Sequence, residues 1–577
     1  QARFNYKDLF IQGFMNTSNG GDTFILRSGQ LIVDTSKLFV GQIQHSYELG
    51  QRQRFTYGLD ALFTRPNTDG TINGRNEDQD DIDEIGVYLQ SETDITSALK
   101  FVGAARIDKH SELEDPVFSP RAALVLKPSA TDNFRITYNR AFSTPTTNNL
   151  FLDILNTPDA FGIGAAFAPA LGFSPNIDIR AQGVPETGFS FRRGPNGLFM
   201  FRSPFAPLDP RGLTNSSFIE LNDAIFTNVM WSVGSGAVSS QFVPQYVAGL
   251  IAAGVDPVAA QALGQQFLTI VPALVGGVGN VMRSLDPETG TFFEDEPFDV
   301  PRIKEETTQT LEFGYKGILG EKLVLDFDVY YTKIEDFITP LLVTTPNVFL
   351  DPVTLAAFLG PSFATELAKP ENAMLNATLV GALDAPASGG NGNGSAVDEL
   401  TGMYTAGAAG IPFGTVTPQE VFDPTAVLVT YRNIGDVDFV GLDVSFSYYL
   451  NRLWTIGGNY SFVSDDVFEN LDGIDDIALN AAKHKFGASI SYRNRDAGFD
   501  SNLRLRFVDS FPVISADFKG TSDRYAVLDL TANYKLPFSR NTNLNLTIQN
   551  LTDNKHLEIV GAPEIGRLAI VRVTQSF

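Results

Sequence analysis

The densest group of side chains that could hold a metal ion is an acidic run early in the chain. Residues 77–84 carry six carboxylates within eight positions. Carboxylate oxygens are the ligands that calcium prefers. The candidate calcium ligands are Asp78, Asp80, Asp81 and Asp83. The spacing differs from that of an EF-hand, and an acidic loop exposed to solvent is the favoured interpretation. Two later acidic groups, 465–466 and 472–476, have the same two interpretations.

The sequence has few residues that could form disulfides, thiolate metal sites or a catalytic site. The chain has no cysteine, which excludes disulfides and thiolate metal sites. No pattern of nucleophile and base surrounds any of the four histidines, which are His45, His110, His484 and His556. We therefore expect no enzymatic activity and no cofactor other than calcium. The formal net charge of −25 argues against a nucleic-acid partner.

The elements that must position these residues show a strict alternation of apolar and polar side chains. Within 541–551, Leu544, Leu546 and Ile548 alternate with Asn545, Thr547 and Gln549. Side chains alternate across a strand, so this segment has one apolar and one polar face. The same period recurs in segments throughout the chain, which are 134–139, 325–332, 453–462, 502–508, 525–536 and 566–577. We expect Phe507, Leu528 and Leu530 on the apolar face. We expect Arg504, Arg506 and Asp529 on the polar face.

Two architectures fit this alternation, a soluble sandwich and a transmembrane antiparallel β-barrel of all-β class. The barrel is favoured because the polar face mixes arginines, asparagines and carboxylates, as a water-filled or plugged lumen does. Short and long connections also alternate, as periplasmic turns and outer loops do in bacterial outer-membrane barrels. No apolar run of about eighteen residues is present, which argues against helical membrane spans.

Two connections, 143–302 and 340–425, are too long to be simple turns. Helices are predicted at 244–253 and Pro257–Ile270, where the strand period is lost. Another helix is predicted to start at Asp351, an N-cap followed by proline. The glycine-rich stretch 386–395 is expected to be flexible. These loop insertions are predicted to form a folded cap over the extracellular mouth.

Several motifs resemble those of TonB-dependent outer-membrane receptors. The end of one strand and the residues after it carry Tyr138, Arg140, Ala141, Phe142, Pro145 and Asn149. A later strand carries Gly441. The closing hairpin carries Asn550, Leu551, Asp553, Gly566, Arg567 and the terminal Phe577. The matches run from about residue 130 to the C-terminus, with Glu305 and Gln575 as departures from the family pattern.

The resemblance implies parts beyond this chain. Family members carry a TonB-binding segment, a plug domain and a barrel of about 22 strands. Counting back from Phe577, with 427–450 as one strand, gives about sixteen strands, the first being 4–18. About 16–18 strands are therefore expected in this chain. The plug and roughly six strands are expected to be missing, so the last strand should not pair with the first.

The polar face carries arginines whose role has two interpretations. They could contact an anionic ligand or the carboxylates of a plug, or they could pair with neighbouring Asp and Glu. The second interpretation is favoured. These residues are Arg121, Arg135, Arg504, Arg506 and Arg572.

The resemblance implies an active transporter in the outer membrane of a Gram-negative bacterium. Such a receptor would bind a scarce nutrient at its extracellular loops and import it with TonB-coupled energy. The nutrient could be an iron-siderophore, a vitamin, a peptide or an oligosaccharide. The partners implied are membrane lipid, the plug, the TonB complex, the nutrient and a surface lipoprotein. The alternative is a passive porin, or a structural or adhesive surface barrel without energy coupling.

Overall fold

The computed structural model describes residues 1–25, 29–286, 289–385, 389–471, 475–515, 518–539 and 541–576. The chain divides into two compact units. The strand unit comprises Gln1–Leu150, Ile303–Pro340 and Tyr431–Phe577. The insertion unit comprises Phe151–Arg302 and Leu341–Thr430. Strands and helices are numbered along the chain in both units.

The strand unit is built on a seventeen-stranded sheet, within the expected range. Its strands before the first insertion are β1 (Ala2–Tyr6), β2 (Leu9–Thr17), β3 (Lys37–Leu49), β4 (Gln53–Arg65), β5 (Ile82–Asp94), β6 (Leu99–His110), β7 (Val117–Leu126) and β8 (Asp132–Ser143). The later strands are β15 (Glu306–Leu319), β16 (Leu323–Ile338), β21 (Asn433–Tyr449), β22 (Trp454–Val463), β25 (His484–Asn494), β26 (Phe499–Val508), β29 (Tyr525–Lys535), β30 (Thr542–Gln549) and β31 (Leu568–Gln575).

Each sheet strand pairs antiparallel with the next one in this order, and β8 pairs with β15 across the first insertion. The ladder begins at β1 and ends at β31, and no pairing between these two strands is found among the described residues. The expectation that the last strand does not pair with the first stays a prediction.

Two sequence-based strand assignments are wrong. The predicted strand 4–18 is the hairpin β1–β2, because the chain turns at Lys7, which has a positive φ of 50°. The predicted strand 427–450 is broken at 431–432. Its first part, β20 (Val427–Thr430), pairs with strands of the insertion unit, and only β21 belongs to the large sheet. An apolar period alone does not reveal which sheet a strand joins.

Short and long connections alternate along the sheet as predicted, except that 111–116, which stands in a long position, is no longer than 536–541. The short connections are 7–8, 50–52, 95–98, 127–131, 320–322, 450–453, 495–498 and 536–541. Because all pairs are antiparallel, these short connections share one edge of the sheet. Two long connections contain further hairpins, β23 (Val467–Leu471) with β24 (Asp475–Ala478), and β27 (Phe511–Ser515) with β28 (Phe518–Ser522).

The register confirms the predicted faces of the last strands. Leu530 lies opposite Ile548, and Leu505 lies opposite Leu528, so these side chains share the apolar face. Arg504 lies opposite Asp529 on the polar face. On this polar face the Asn533 amide donates to Asp500 at 2.8 Å.

The insertion unit contains the long helices of the described residues. Its helices are α2 (Ile163–Leu171), α3 (Ala224–Ala252), α4 (Pro257–Ile270), α5 (Pro352–Leu367), α6 (Ala373–Leu379) and α7 (Val397–Ala409), while α1 (Thr147–Phe151) lies at the junction of the units. Tighter turns occur at Gly74–Asn76, Ala206–Leu208 and Pro370–Asn372, and a π-helical turn at Val380–Asp384. No helix within the described ranges is long and apolar enough to cross a membrane.

Short sheets accompany these helices. One joins β9 (Asp153–Thr157), β10 (Ile179–Gln182), β20 and β17 (Leu342–Val343). A second joins β13 (Asn280–Leu285), β14 (Phe292–Phe293), β18 (Asn347–Leu350) and β19 (Gly414–Thr415), and a third joins β11 (Met200–Phe201) to β12 (Ile219–Glu220). The first two sheets contain strands from both insertions.

The helix predictions are confirmed at α4 and at the start of α5. The Asp351 side chain accepts hydrogen bonds from Val353 N and Thr354 N, both at 3.1 Å. The helix predicted at 244–253 is only the last part of α3. That helix begins much earlier because the Asp223 carboxylate caps it, accepting from Phe226 N at 2.9 Å. It continues through Pro244.

The two insertions share one hydrophobic core. Trp231 and Phe267 come from the first insertion, and Phe363 and Tyr404 come from the second. The Tyr404 hydroxyl is hydrogen-bonded to the Ser239 hydroxyl at 2.7 Å. Neither insertion could bury these rings alone, so the two fold as one body.

The described part of the glycine-rich stretch makes several hydrogen bonds, and its flexibility stays a prediction. The buried Asp384 carboxylate accepts from Asn393 N at 3.0 Å and from Gly394 N at 2.7 Å. Asp398 accepts from the side-chain amides of Asn391 and Asn393, both at 2.8 Å. Residues 386–388 of the stretch lie outside the described residues.

Candidate functional site

The polar face of the large sheet carries charged bridges that cross from strand to strand. Arg135 of β8 contacts Glu312 of β15 and Asp328 of β16, both at 2.8 Å. It reaches the second carboxylate across Gly314, where an added Cβ would lie 2.3 Å from Asp328 Oδ1. The glycine therefore opens the path for a charged bridge over three strands.

A second bridge has the same design. Arg106 of β6 contacts Asp60 of β4 at 2.5 Å and Asp108 at 2.6 Å. It crosses β5 at Gly86, where a Cβ would lie 2.2 Å from Arg106 Nη2. Sequence reasoning missed this bridge, although a glycine on the polar face of the intervening strand was a usable signal.

The interpretation that the arginines pair with neighbouring carboxylates is confirmed for some of them. Arg135 pairs as described, and Arg506 Nε donates to Asp529 at 3.0 Å. The remaining candidates are exposed and form no ion pair with any described residue, and these are Arg121, Arg504 and Arg572. The polar face therefore keeps cationic groups that neighbouring carboxylates do not neutralise.

Gly441 has a clear packing role. It lies opposite Tyr330 in the register, and the tyrosine ring covers it. A Cβ at Gly441 would lie 2.0 Å from Tyr330 Cζ. Any larger residue here would push the ring away from the polar face.

The motif residues around the end of β8 organise the exit into the first insertion. The Tyr138 hydroxyl donates to Gln309 at 3.1 Å, and Arg140 Nη1 donates to Phe118 O at 3.1 Å. Asn149 Oδ1 accepts from Thr146 N and Thr146 Oγ1, both at 2.8 Å. The other motif residues are Ala141 and Phe142, which pair with β15, and Pro145, which follows the strand.

The structure brings the motif residues of the closing hairpin together. Asn550 is buried with a positive φ of 54°, and its side chain donates to Asn554 O at 2.8 Å. Asp553 Oδ1 accepts from Arg567 N at 2.8 Å, and a Cβ at Gly566 would lie 3.3 Å from that oxygen. Leu551 N donates to Leu528 O at 2.6 Å. These contacts fix the loop between β30 and β31. Phe577 lies outside the described residues.

The acidic loop before β5 uses its carboxylates internally. Glu77 accepts from Asp69 N at 2.9 Å and Gly70 N at 3.2 Å. Buried Asp80 accepts from Asn73 Nδ2 at 2.6 Å, and its burial raises its pKa. The remaining candidates are Asp81 and Asp83, which contact Arg65 at 3.3 and 2.6 Å, and exposed Asp78.

No group of three or more His, Cys, Asp or Glu side chains within the described ranges is arranged to hold a metal ion. Calcium binding by the acidic loop stays a prediction. In the later acidic groups, Lys483 contacts Asp466 at 3.2 Å. Residues 472–474 lie outside the described residues.

Arg202 is a buried residue that sequence reasoning missed. It lies in the first insertion, and its Nε donates to Thr417 Oγ1 of the second at 2.7 Å, while Nη2 donates to Pro418 O. Its guanidinium carbon lies 4.6 Å from the Phe218 ring centroid. Burial lowers the pKa of Arg202 to about 10. It fastens the two insertions to each other.

Two solved receptor structures have a similar fold. The ferric enterobactin receptor PfeA of Pseudomonas aeruginosa, as its G324V mutant, matches with a TM-score of 0.50 and 11% identity, covering 100% of this chain and 60% of that chain. The siderophore receptor PirA of Acinetobacter baumannii matches with a TM-score of 0.49 and 10% identity, covering 100% of this chain and 61% of that one. The chain therefore spans about three fifths of the length of these receptors. Comparison with curated proteins finds no match.

The family comparison is more specific. The model of the family described as TonB dependent receptor-like, beta-barrel, matches residues 1–191 and 273–551. These ranges include all the strands of the large sheet except β31 and omit all of α3 and α4. The large two-faced sheet is accordingly the β-barrel of this family. The chain belongs to the TonB-dependent receptor β-barrel family.

Proposed function

We propose that the protein is an outer-membrane active transporter of a Gram-negative bacterium. It captures a scarce nutrient at the insertion unit and imports it with energy coupled through TonB. A plug domain within the barrel, the TonB complex and the surrounding lipid are its partners, and a surface lipoprotein is a further proposed partner. We propose no catalytic role, since the matched family and the similar structures are receptors.

The observation that carries this proposal is the two-faced register of a sheet that belongs to the receptor family. Large apolar side chains on one face are open to the surroundings, as Ile43, Val87 and Leu311 are, at 48%, 48% and 54% exposure. Such a face is stable against lipid hydrocarbon. The opposite face carries the charged bridges of Arg106 and Arg135, which suit a water-filled or plugged interior.

The nutrient is proposed only as a class. The similar solved receptors bind siderophores according to their names, but at 10–11% identity they support the fold alone. Iron-siderophores, vitamins, peptides and oligosaccharides therefore all stay within the proposal. The insertion unit, with its own core, provides a rigid surface for capture.

Two measurements on the full-length gene product test energy coupling without knowing the nutrient. In planar lipid bilayers a plugged transporter should show no steady ion conductance, whereas a passive porin conducts continuously. The purified periplasmic domain of TonB should bind the full-length protein, and a TonB domain with its receptor-binding surface mutated is the control. Steady conductance together with no TonB binding would establish the passive barrel instead.

A further inference from the structure

The exposed side of helix α3 forms the floor of an open groove within the insertion unit. The groove has a volume of about 1030 Å³. One wall comes from α2, with Phe167 and Leu171, and another from Gly407 near the end of α7 and Ile411 two residues after that helix. Pockets of this size suit drug-sized molecules.

A second groove adjoins the first across the same helix. It has a volume of about 730 Å³ and is walled by the end of α4 and the segment after it, including Leu268 and Leu274. Both grooves share four floor residues at every fourth position of α3, which are Asn228, Ser232, Gly236 and Ser240. We call the two together the α3 groove.

The α3 groove is uncharged, although the insertion unit that contains it is acidic. No residue that lines either part is charged. From residue 224 to residue 282 the sequence has one charged side chain, Asp256. The insertion unit as a whole has 22 acidic and 8 basic residues. A charged ligand would lose water here without gaining a partner, and an anion would also be repelled by the unit.

The walls are held in place by close helix contacts. A Cβ at Gly234 of α3 would lie 2.8 Å from Ala408 Cβ of α7, and a Cβ at Gly407 would lie 2.4 Å from Val238 Cγ2. Such tight packing leaves little freedom for the groove to collapse. On the floor, the Ser232 hydroxyl and the Gln241 amide form no hydrogen bond with any described residue. They are available to a ligand.

We propose that the α3 groove binds an uncharged, largely apolar small molecule that carries one or two hydrogen-bonding groups. The proposal rests on the proposed function, since it names the chemical class that the insertion unit captures. Residues 192–272, which fall outside the family match, supply all of α3 and α4. The groove is therefore built mainly by the part of the chain that departs from the family.

Fluorescence quenching tests the proposal on the full-length protein in amphipol. Bromine quenches tryptophan on contact, and Trp231 lines the groove. The probes are ω-bromodecanol, which is neutral, and ω-bromodecanoate, which is anionic. The Trp231 signal is the part that disappears in Trp231→Phe. We expect saturable quenching by the alcohol, with half-saturation at least about tenfold below that of the carboxylate.

Two matched variants locate the binding. An added Cβ at Gly236 or at Gly249, both on α3, would meet nothing within 4 Å. Gly236→Leu fills the groove and should abolish saturable quenching, whereas Gly249→Leu lies outside it and should leave the quenching intact. Ser232→Asp, which adds a charge to the floor, should weaken binding of the alcohol at least about tenfold.

Three results would overturn the proposal: quenching that never saturates, equal binding of both probes, or equal behaviour of the two leucine variants. The assay uses neither TonB nor a proton gradient. A passive barrel with a working groove would therefore pass it and fail the conductance test. A coupled transporter without the groove would do the reverse.

Discussion

The strand unit and the insertion unit use apolar side chains in opposite ways. The twelve largest side chains that are fully buried among the described residues all lie in the insertion unit, among them Phe267, Phe363 and Tyr404. The strand unit instead leaves large apolar side chains open along its strands, with Val573 66% exposed. The insertion unit folds as a water-soluble domain does, by burying its own core. The strand unit needs an apolar surrounding to complete its folding.

The shared core also explains how two insertions that are remote in sequence form one domain. The hairpin β15–β16 separates the insertions in sequence, and each insertion carries only part of a core. Closing such a loop costs conformational entropy that grows slowly with its length. The shared aromatic core and the hydrogen bonds of buried Arg202 to the second insertion offset that cost.

The largest expected effect is on the core of the insertion unit. Phe363→Ala, at a fully buried position, should destabilise the insertion unit by about 3–5 kcal/mol, because it removes buried contacts and leaves a cavity. Chemical unfolding followed by Trp231 fluorescence measures it. The matched control is Phe486→Ala on β25, where the ring is 44% exposed, and the Trp231 transition should not move. Equal shifts of the Trp231 transition in the two variants would contradict the difference in burial between the two units.

The next effect tests the outer face of the strand unit. Leu546→Arg should cost about 2–4 kcal/mol of folding stability in liposomes, because it places a charge against hydrocarbon at mid-membrane depth. Thr547→Arg, one residue along on the polar face, should cost much less. Equal costs at the two positions would show that the sheet does not separate lipid from water.

The strands and their faces are predictable from local sequence signals, because the period of two is set by neighbouring residues. The N-cap at Asp351 and the proline at the start of α4 also act locally, and both helix starts were predicted. The start of α3 at Asp223 was missed, since the uncharged sequence after it shows no clear amphipathic period. The break at 431–432 was missed because it is set by pairing with β10.

The candidate site was less accessible to sequence reasoning. Arg135 and Arg506 were placed on the polar face correctly, since register fixes the face. Their partners depend on which strands are neighbours and on glycines such as Gly314 that let a side chain cross. Arg202 was missed because its partner Thr417 lies 215 positions away in sequence. The bridge of Arg106 was missed because Asp60 lies 46 positions away, on a strand that is not adjacent to β6. The α3 groove needs both insertions and has no sequence signature.

A smaller effect should distinguish bridged from unpaired arginines on the polar face. Arg106→Gln leaves Asp60 and Asp108 without their cation and should cost about 1–3 kcal/mol. Arg504→Gln removes an exposed arginine that has no ion pair with a described residue, and should change stability little. Urea unfolding in liposomes measures both. A cost at Arg504 as large as that at Arg106 would mean that the bridges do not stabilise the barrel.

The smallest effect is a pH dependence confined to the insertion unit. Arg211 donates to both oxygens of buried Asp209, at 2.8 and 2.7 Å, and these hydrogen bonds hold the pKa of Asp209 below its usual 3.8. A lowered carboxyl pKa contributes stability that is present above the usual value and is lost as the pH falls through the lowered one.

Asp209→Asn should therefore reduce the loss of stability between neutral pH and about pH 3, by less than about 1 kcal/mol because Arg211 is partly exposed. Glu371→Gln, which removes an exposed charge from the same unit, is the control. Unfolding is followed by Trp231 fluorescence at both pH values. If Asp209→Asn lost as much stability in acid as the unmodified protein, the Asp209–Arg211 ion pair would not be the acid-sensitive contact of the insertion unit.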